Sequence, residues 1–357
     1  MRSISGLRIA ALSILLSGCS GAIMDPAGDV AVQQRNLIIA STVLMLLIIV
    51  PVMLLTVFFA WRYRESNTEA TYAPEWHHST VLEFMIWSAP LLIIIALGAM
   101  TWITTHTLDP FRPLVRLDAN RPLASDVKPL KVQVVALDWK WLFIYPDQGI
   151  ATVNEVAVPV DVPVEFDITA SSVMNAFAVP AVAGMVYAMP GMQTQLHAVV
   201  NRAGTYQGFS GNYSGAGFSD MHFAFLGVSS ADFDAWVAKA KADNGTLGRA
   251  DYLELEKPSE HNPVRRYGGV ADNLFDAILN RCVQPGKMCE RDMMAIDARG
   301  GLGFAGIGNL GRIQHEPTWR FGHSEGAEDV SMAFVLALCA GDTASSTQSS
   351  SPALAVR

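Results

Sequence analysis

The alternation of apolar and polar positions changes twice along the chain. From Leu37 to Ala60 the stretch LIIASTVLMLLIIVPVMLLTVFFA carries no charge and exceeds the roughly 20 residues a helix needs to cross the hydrocarbon core. Phe84 to Ile103 repeats the pattern, with Trp87 and Trp102 near its ends as interfacial anchors. Pro51 and Pro90 fall inside these runs, and neighbouring helices can satisfy the carbonyls they free. The polar run WRYRESNTEATYAPEWHH separates the two. The expectation is a two-helix transmembrane hairpin over 19–108, with spans at about 37–60 and 84–103. Nothing later is long and apolar enough to cross again.

From Pro129 the period falls to two. KVQVVALDWKWLFIYP alternates, and EVAVPVDVPVEFDITA, QTQLHAVV and HFAFLGVS follow, broken by Gly, Pro and Asn. Short strands with such turn signals predict a β-sandwich or barrel over 125–230. Read as one strand, this segment points Trp139 and Trp141 the same way, into the core. DFDAWVAKAKA and DNLFDAILN predict helices in an extension over 231–280, and residues 281–357 read as irregular, ending in a disordered tail.

Composition supports the membrane reading. Half of the 357 residues are hydrophobic and 16% are charged, low for a soluble protein. The net charge of -8 argues against nucleic acid as partner. The start, MRSISGLRIAALSILLSGCS, has the basic head and short apolar run of a signal peptide over 1–18. Its Leu16-Ser17-Gly18-Cys19 resembles the lipobox of bacterial lipoproteins, which implies diacylglycerol on the Cys19 thiol and acylation of the new amine. Arg62 and Arg64 favour a cytoplasmic loop, but Arg35, Arg112, Arg116 and Arg121 dilute that bias. A lipidated Cys19 on the outer leaflet decides the direction and puts the β-domain in the periplasm of an inner membrane.

Cys282 and Cys289 are spaced for a local disulfide in an oxidising compartment, which leaves Cys339 unpaired. A soft copper site with Met288, Met293 and Met294 is the alternative. The densest glycine run is YQGFSGNYSGAGFSDMHF, Tyr206 to Phe223, a loop shaped for close backbone approach.

Hairpin, outer β-domain and this loop together resemble subunit II of the haem-copper respiratory oxidases. Glu83-Phe84-Met85-Ile86-Trp87-Ser88-Ala89-Pro90 is similar to the family's E-x-x-W-[ST]-x-x-P. Asp138-Trp139-Lys140-Trp141 resembles its aromatic segment, and Met174-Asn175-Ala176-Phe177-Ala178-Val179-Pro180 its ligand strand. The resemblance, from about Cys19 to Pro258, implies a cupredoxin-like β-barrel. In the cytochrome c oxidases of the family this barrel holds two coppers on a histidine followed by C-x-E-x-C-x-x-x-H-x-x-M. Here those positions read Asn175, then Ser210, Asn212, Ser214, Phe218 and Met221. Hydroxyls, amides and a phenyl ring do not replace the thiolates and imidazoles soft copper requires. His222 alternates to the other strand face, and His197 lies elsewhere.

Retained scaffold with lost donors resembles the family's quinol-oxidising branch, as do Gly149 to Glu155 (GIATVNE) and Tyr187 to Thr194 (YAMPGMQT). The resemblance implies a non-catalytic subunit of a proton-pumping complex that oxidises ubiquinol and reduces oxygen to water. It implies subunit I and other membrane subunits as partners, membrane lipid around the spans, and haems and copper in subunit I, with no cofactor in this chain. A copper-containing cytochrome c oxidase subunit II is the alternative. For Glu83 the resemblance implies a place near the entrance of a proton pathway, against a plain interfacial carboxylate. For Trp139 and Trp141 it implies an electron route, which without copper gives way to packing.

Overall fold

The computed structural model describes residues 21–298 and 301, apart from 72, 125, 126 and 244. The signal segment, Cys19, Cys339 and the C-terminal tail lie outside the described residues. The chain divides into two compact units. The first runs to Pro285 and includes Cys289–Arg291. The second contributes to the described residues most of a short helix, Glu290–Asp297.

The first unit begins with helices α1 (Asp29–Arg62) and α2 (Thr80–Thr107). Both outrun the apolar cores read from sequence, because their polar ends still satisfy helical requirements. Asp29 lies in the first turn of α1, where the helix dipole favours an anion. At the start of α2 the Ser79 hydroxyl accepts from Leu82 N. No residue of α2 is buried, and α1 buries only Asp29 and Ala31. An apolar surface left open on all sides suits lipid and neighbouring subunits rather than water.

After a ribbon of β1 (Arg116–Asp118) and β2 (Arg121–Pro122), the strands are β3 (Leu130–Leu137), β4 (Lys140–Tyr145), β5 (Ile150–Val153), β6 (Glu155–Pro159), β7 (Pro163–Ala170), β8 (Asn175–Ala178), β9 (Met185–Ala188), β10 (Thr194–Val199), β11 (Gly204–Ser210) and β12 (His222–Val228). Helix α3 (Ser230–Ala242) follows, then β13 (Thr246–Leu247), α4 (Arg249–Glu256), β14 (Arg265–Tyr267), β15 (Gly269–Val270) and α5 (Leu274–Leu279). One sheet has the order β10-β7-β3-β4-β5-β14 and the other β6-β12-β11-β8-β9. Trp141, Phe143, Phe166, Phe177 and Phe223 fill the space between them. Phe177 stacks on Phe223 at 5.2 Å between ring centres, and Trp141 meets Phe177 edge-on at 5.3 Å. Aromatic pairs in these arrangements add to the area they bury.

The chain switches sheets at Asn154. This residue takes a left-handed conformation (φ 59°), which asparagine tolerates better than most residues. Its Oδ1 accepts from Trp141 N at 2.9 Å and its Nδ2 donates to Asn262 O at 2.9 Å. The next residue, Glu155, accepts from Trp236 Nε1 (2.8 Å) and Arg266 Nη2 (2.6 Å), so the corner also anchors α3 and β14.

Three expectations need correction. Trp139 is not on a strand. Leu137 pairs with Lys140, leaving Asp138 and Trp139 as a two-residue hairpin loop with Trp139 at φ 67°. The two tryptophans therefore do not form one stripe. Second, β4 is buried on both faces, because Tyr252, Leu255, Leu274 and Ile278 of the extension pack against Val135, Leu142 and Ile144. The extension is a second core layer on the outside of the sheet. Third, the segment beyond 281 is not wholly irregular. The Cys282–Cys289 disulfide expected from the spacing is present, and the departure from an irregular segment is α6 (Glu290–Asp297).

Candidate functional site

The glycine-rich loop leaves β11 at Ser210, turns through a short 3-10 helix (Ala216–Asp220) and enters β12 after Met221. Most of its polar positions bond to each other and to nearby backbone, while the Ser214 hydroxyl is buried without a partner. Ser210 and Asn175 are buried, and the Ser210 hydroxyl donates to Asn175 Oδ1 at 3.1 Å. Asn175 Nδ2 donates to Val173 O at 3.1 Å, and Asn212 Nδ2 to Met174 O at 3.0 Å. Backbone bonds from Ser210 N to Met221 O (3.2 Å) and from Gly211 N to Ala176 O (2.9 Å) close the base. The structure thus brings Asn175, Ser210, Asn212 and Met221 together. Phe218 turns away to meet Tyr213 edge-on at 5.6 Å. Ser214 contributes its carbonyl, which accepts from Trp139 Nε1 at 3.1 Å.

These donors do not fit a dinuclear copper centre. The cluster offers a hydroxyl, two amides and one thioether, and no group that is a thiolate or imidazole at neutral pH. Met221 is buried, whereas His222 is exposed on the opposite face. His197 sits on β10 of the other sheet, paired with Glu165 in register, and burial lowers its pKa. Neither histidine joins the loop.

What the loop's glycines accommodate is visible in the same geometry. A Cβ on Gly217 would come within 2.6 Å of the Trp139 indole, and one on Gly215 within 3.1 Å. A Cβ on Gly208 would enter the Phe223 ring. The loop approaches aromatic side chains closely, and glycine is what that approach requires.

Two residues escaped the sequence reading. Lys140 is fully buried, and its ammonium donates to Lys257 O (2.8 Å), Ser259 Oγ (2.7 Å) and Asp138 O (3.2 Å). Burial lowers its pKa to about 8. Alternation places Lys140 on the face of β4 opposite Trp141, and the outer layer covers that face. The other is His78, whose Nδ1 lies 2.8 Å from Glu83 Oε1 across the Ser79 cap. Both side chains are more than half exposed. A histidine just upstream of an N-cap was the available signal.

Two exposed apolar helices joined to a two-sheet barrel make this a membrane-anchored protein of the cupredoxin-like class. The family model described as the periplasmic domain of cytochrome c oxidase subunit II matches residues 147–228, and the oxidase aromatic-rich motif matches 241–286. The cytochrome bo(3) ubiquinol oxidase subunit 2 of Pseudomonas putida is 50% identical over 268 residues, 75% of this chain and 82% of that one. The ubiquinol oxidase subunit 2 of Acetobacter aceti is 50% identical over 267 residues, 75% and 84% of the two chains. A solved periplasmic domain of cytochrome oxidase subunit II from Bradyrhizobium japonicum is 26% identical, covering 34% of this chain and 96% of that one with a TM-score of 0.31. The chain belongs to the subunit II family of the haem-copper respiratory oxidases.

Proposed function

We propose that this chain is subunit II of a ubiquinol oxidase, a respiratory complex that takes electrons from ubiquinol, reduces oxygen to water and pumps protons. The observation that carries the reading is the donor set of the loop. Asn175, Ser210 and Asn212 bond to one another or to backbone, and Ser214 offers only a hydroxyl, where a copper-bearing relative needs thiolate and imidazole. Soluble haem protein as electron donor requires a metal port in this domain, and lipid-soluble quinol does not. The subunit's role is then structural: α1 and α2 pack on subunit I and its membrane partners, and the barrel caps it. Haems and copper reside in subunit I. Cys19 carries the lipid, and the barrel lies in the periplasm.

Purified complex assayed for oxygen uptake tests this directly. Turnover with ubiquinol and none with reduced cytochrome c is expected. The reverse preference, or two coppers per subunit II, establishes the copper-bearing alternative instead.

Glu83 is the one ionisable residue of this chain we assign to proton uptake. It stands in the first turn of α2 beside His78, and ionisable groups at a span are functional candidates by default. Glu83→Gln slows quinol-driven oxygen uptake by about a hundredfold, the low end of what a lost proton-transfer group costs, and leaves assembly intact. Unchanged turnover in an assembled variant refutes the assignment.

A further inference from the structure

A crevice of about 330 Å³ opens where the hairpin meets the barrel. Its walls come from the first turns of α1, the segment after α2 and strand β10. The chain here is held firmly. Ala27 N donates to Ala181 O (2.6 Å), Asn201 N donates to Ala27 O (2.7 Å), and Arg202 grips Asp25 through two bonds of 3.0 and 2.8 Å. Exposed Trp102 lies less than two turns before the end of α2, which sets the crevice at the membrane–water boundary on the barrel's side. That is the depth of lipid headgroups.

The crevice is charged in both senses. Asp29 is buried and accepts from Arg116 Nε (2.9 Å) and Gln33 Nε2 (2.7 Å), so this pair is internally neutral. Arg112 and Asp109 also line it. Arg112 gives one nitrogen to His106 O at 3.2 Å, and Asp109 takes Phe111 N at 3.0 Å. Neither has an opposite charge among the described ion pairs. One cation and one anion, close in sequence on a fixed segment, face a pocket at headgroup depth.

We propose that this crevice binds the headgroup of a zwitterionic membrane phospholipid, with its phosphodiester on Arg112 and its primary ammonium on Asp109. Arginine donates to a phosphate in the forked geometry that suits it. A carboxylate three residues away selects for a headgroup that carries an amine. The site seals the junction between hairpin and barrel, and it needs neither quinol nor metal. The shared chemistry with free phosphate is the Arg112 contact, and only the lipid also engages Asp109.

The test uses the complex purified in detergent, delipidated, then supplied with phosphatidylethanolamine or phosphatidylglycerol, with retained lipid measured by mass spectrometry. Wild type is expected to retain phosphatidylethanolamine in preference. Arg112→Gln lowers retention of both lipids about tenfold, the effect of one charge-assisted bond. Asp109→Asn keeps the turn that Asp109 makes and abolishes the preference. Unchanged retention in Arg112→Gln, or equal retention of both lipids by wild type, overturns the proposal. Displacement of the lipid by inorganic phosphate at matched concentration also overturns it, as a simple anion site. Arg112 is exposed and Asp109→Asn is conservative, so both variants report on binding rather than folding.

Discussion

The rim of the barrel and the core a few ångströms below it have had different fates. At the rim, Asn175, Ser210 and Asn212 hold a loop together by hydrogen bonds where the family elsewhere uses metal. In the core, Trp141, Phe143, Phe177 and Phe223 form an aromatic cluster with no polar partner, and even Trp141 Nε1 is buried without one. The contrast teaches that bulk stability here comes from the core rather than from the rim. Buried apolar area supplies that. The rim needed only enough directional bonding to keep its loop in place, and neutral hydrogen bonds at about 1 kcal/mol each suffice for this.

The largest effect is expected in the core. Phe177 touches Trp141, Phe143, Phe166 and Phe223, so Phe177→Ala leaves a cavity that no single neighbour can fill. A cost of about 3–5 kcal/mol follows, read as a lowered thermal midpoint of the barrel's tryptophan fluorescence in the purified complex. A cost near that of a rim substitution would erase the distinction between the two regions.

Next comes Gly217→Ala, which places a methyl within 2.6 Å of the Trp139 indole. Overpacking of this kind costs about 1–3 kcal/mol. The companion change Trp139→Ala removes the clash with the indole and leaves only the flexible Glu260 side chain at 2.8 Å, so the double variant should recover part of the loss, measured by the same melting experiment. Strictly additive losses would show that the glycine serves something other than the indole.

Lys140 sharpens the comparison through pH. Its ammonium straps the Lys257–Ser259 segment to the Asp138–Trp139 turn beside the rim. Lys140→Met strands those acceptors and costs about 1–3 kcal/mol at neutral pH. The folded pKa of about 8 lies below the ordinary 10.5, so between these values the unfolded state binds more protons. Stability of the wild type therefore rises with pH across that window. The gap between wild type and Lys140→Met should widen from pH 8 toward pH 10 in a series of melts. A gap that narrows would mean the buried ammonium is stabilised rather than penalised by its surroundings.

Much of this architecture was readable before any coordinates. The spans announce themselves because lipid demands long uncharged runs, and the strands because one buried face imposes a period of two. That serine and phenylalanine stand where soft copper needs thiolate and imidazole is a matter of residue type alone. What escaped depends on contacts distant in sequence. Trp139 in a left-handed turn contradicts local preference and is offset by the indole's packing under Gly215 and Gly217. Lys140 looks solvent-facing until residues 252–278 cover the second face of β4. His78 meets Glu83 across the Ser79 cap, where extended backbone passes into α2.

The smallest expected effect falls on Ser210, at a position where the resemblance implies a copper ligand. Ser210→Ala removes the donor to Asn175 Oδ1 and the partner of Ala176 N. Asn175 keeps its bond to Val173 O, and the backbone ties from Ser210 N to Met221 O and from Gly211 N to Ala176 O are untouched. The loss should be about 1 kcal/mol, with oxygen uptake on quinol unchanged. If the rim were a working redox or binding centre, turnover would fall well before stability did. A variant that melts like wild type yet oxidises quinol slowly would therefore return function to the loop. It would also erase the contrast between a hydrogen-bonded rim and the core that holds it up.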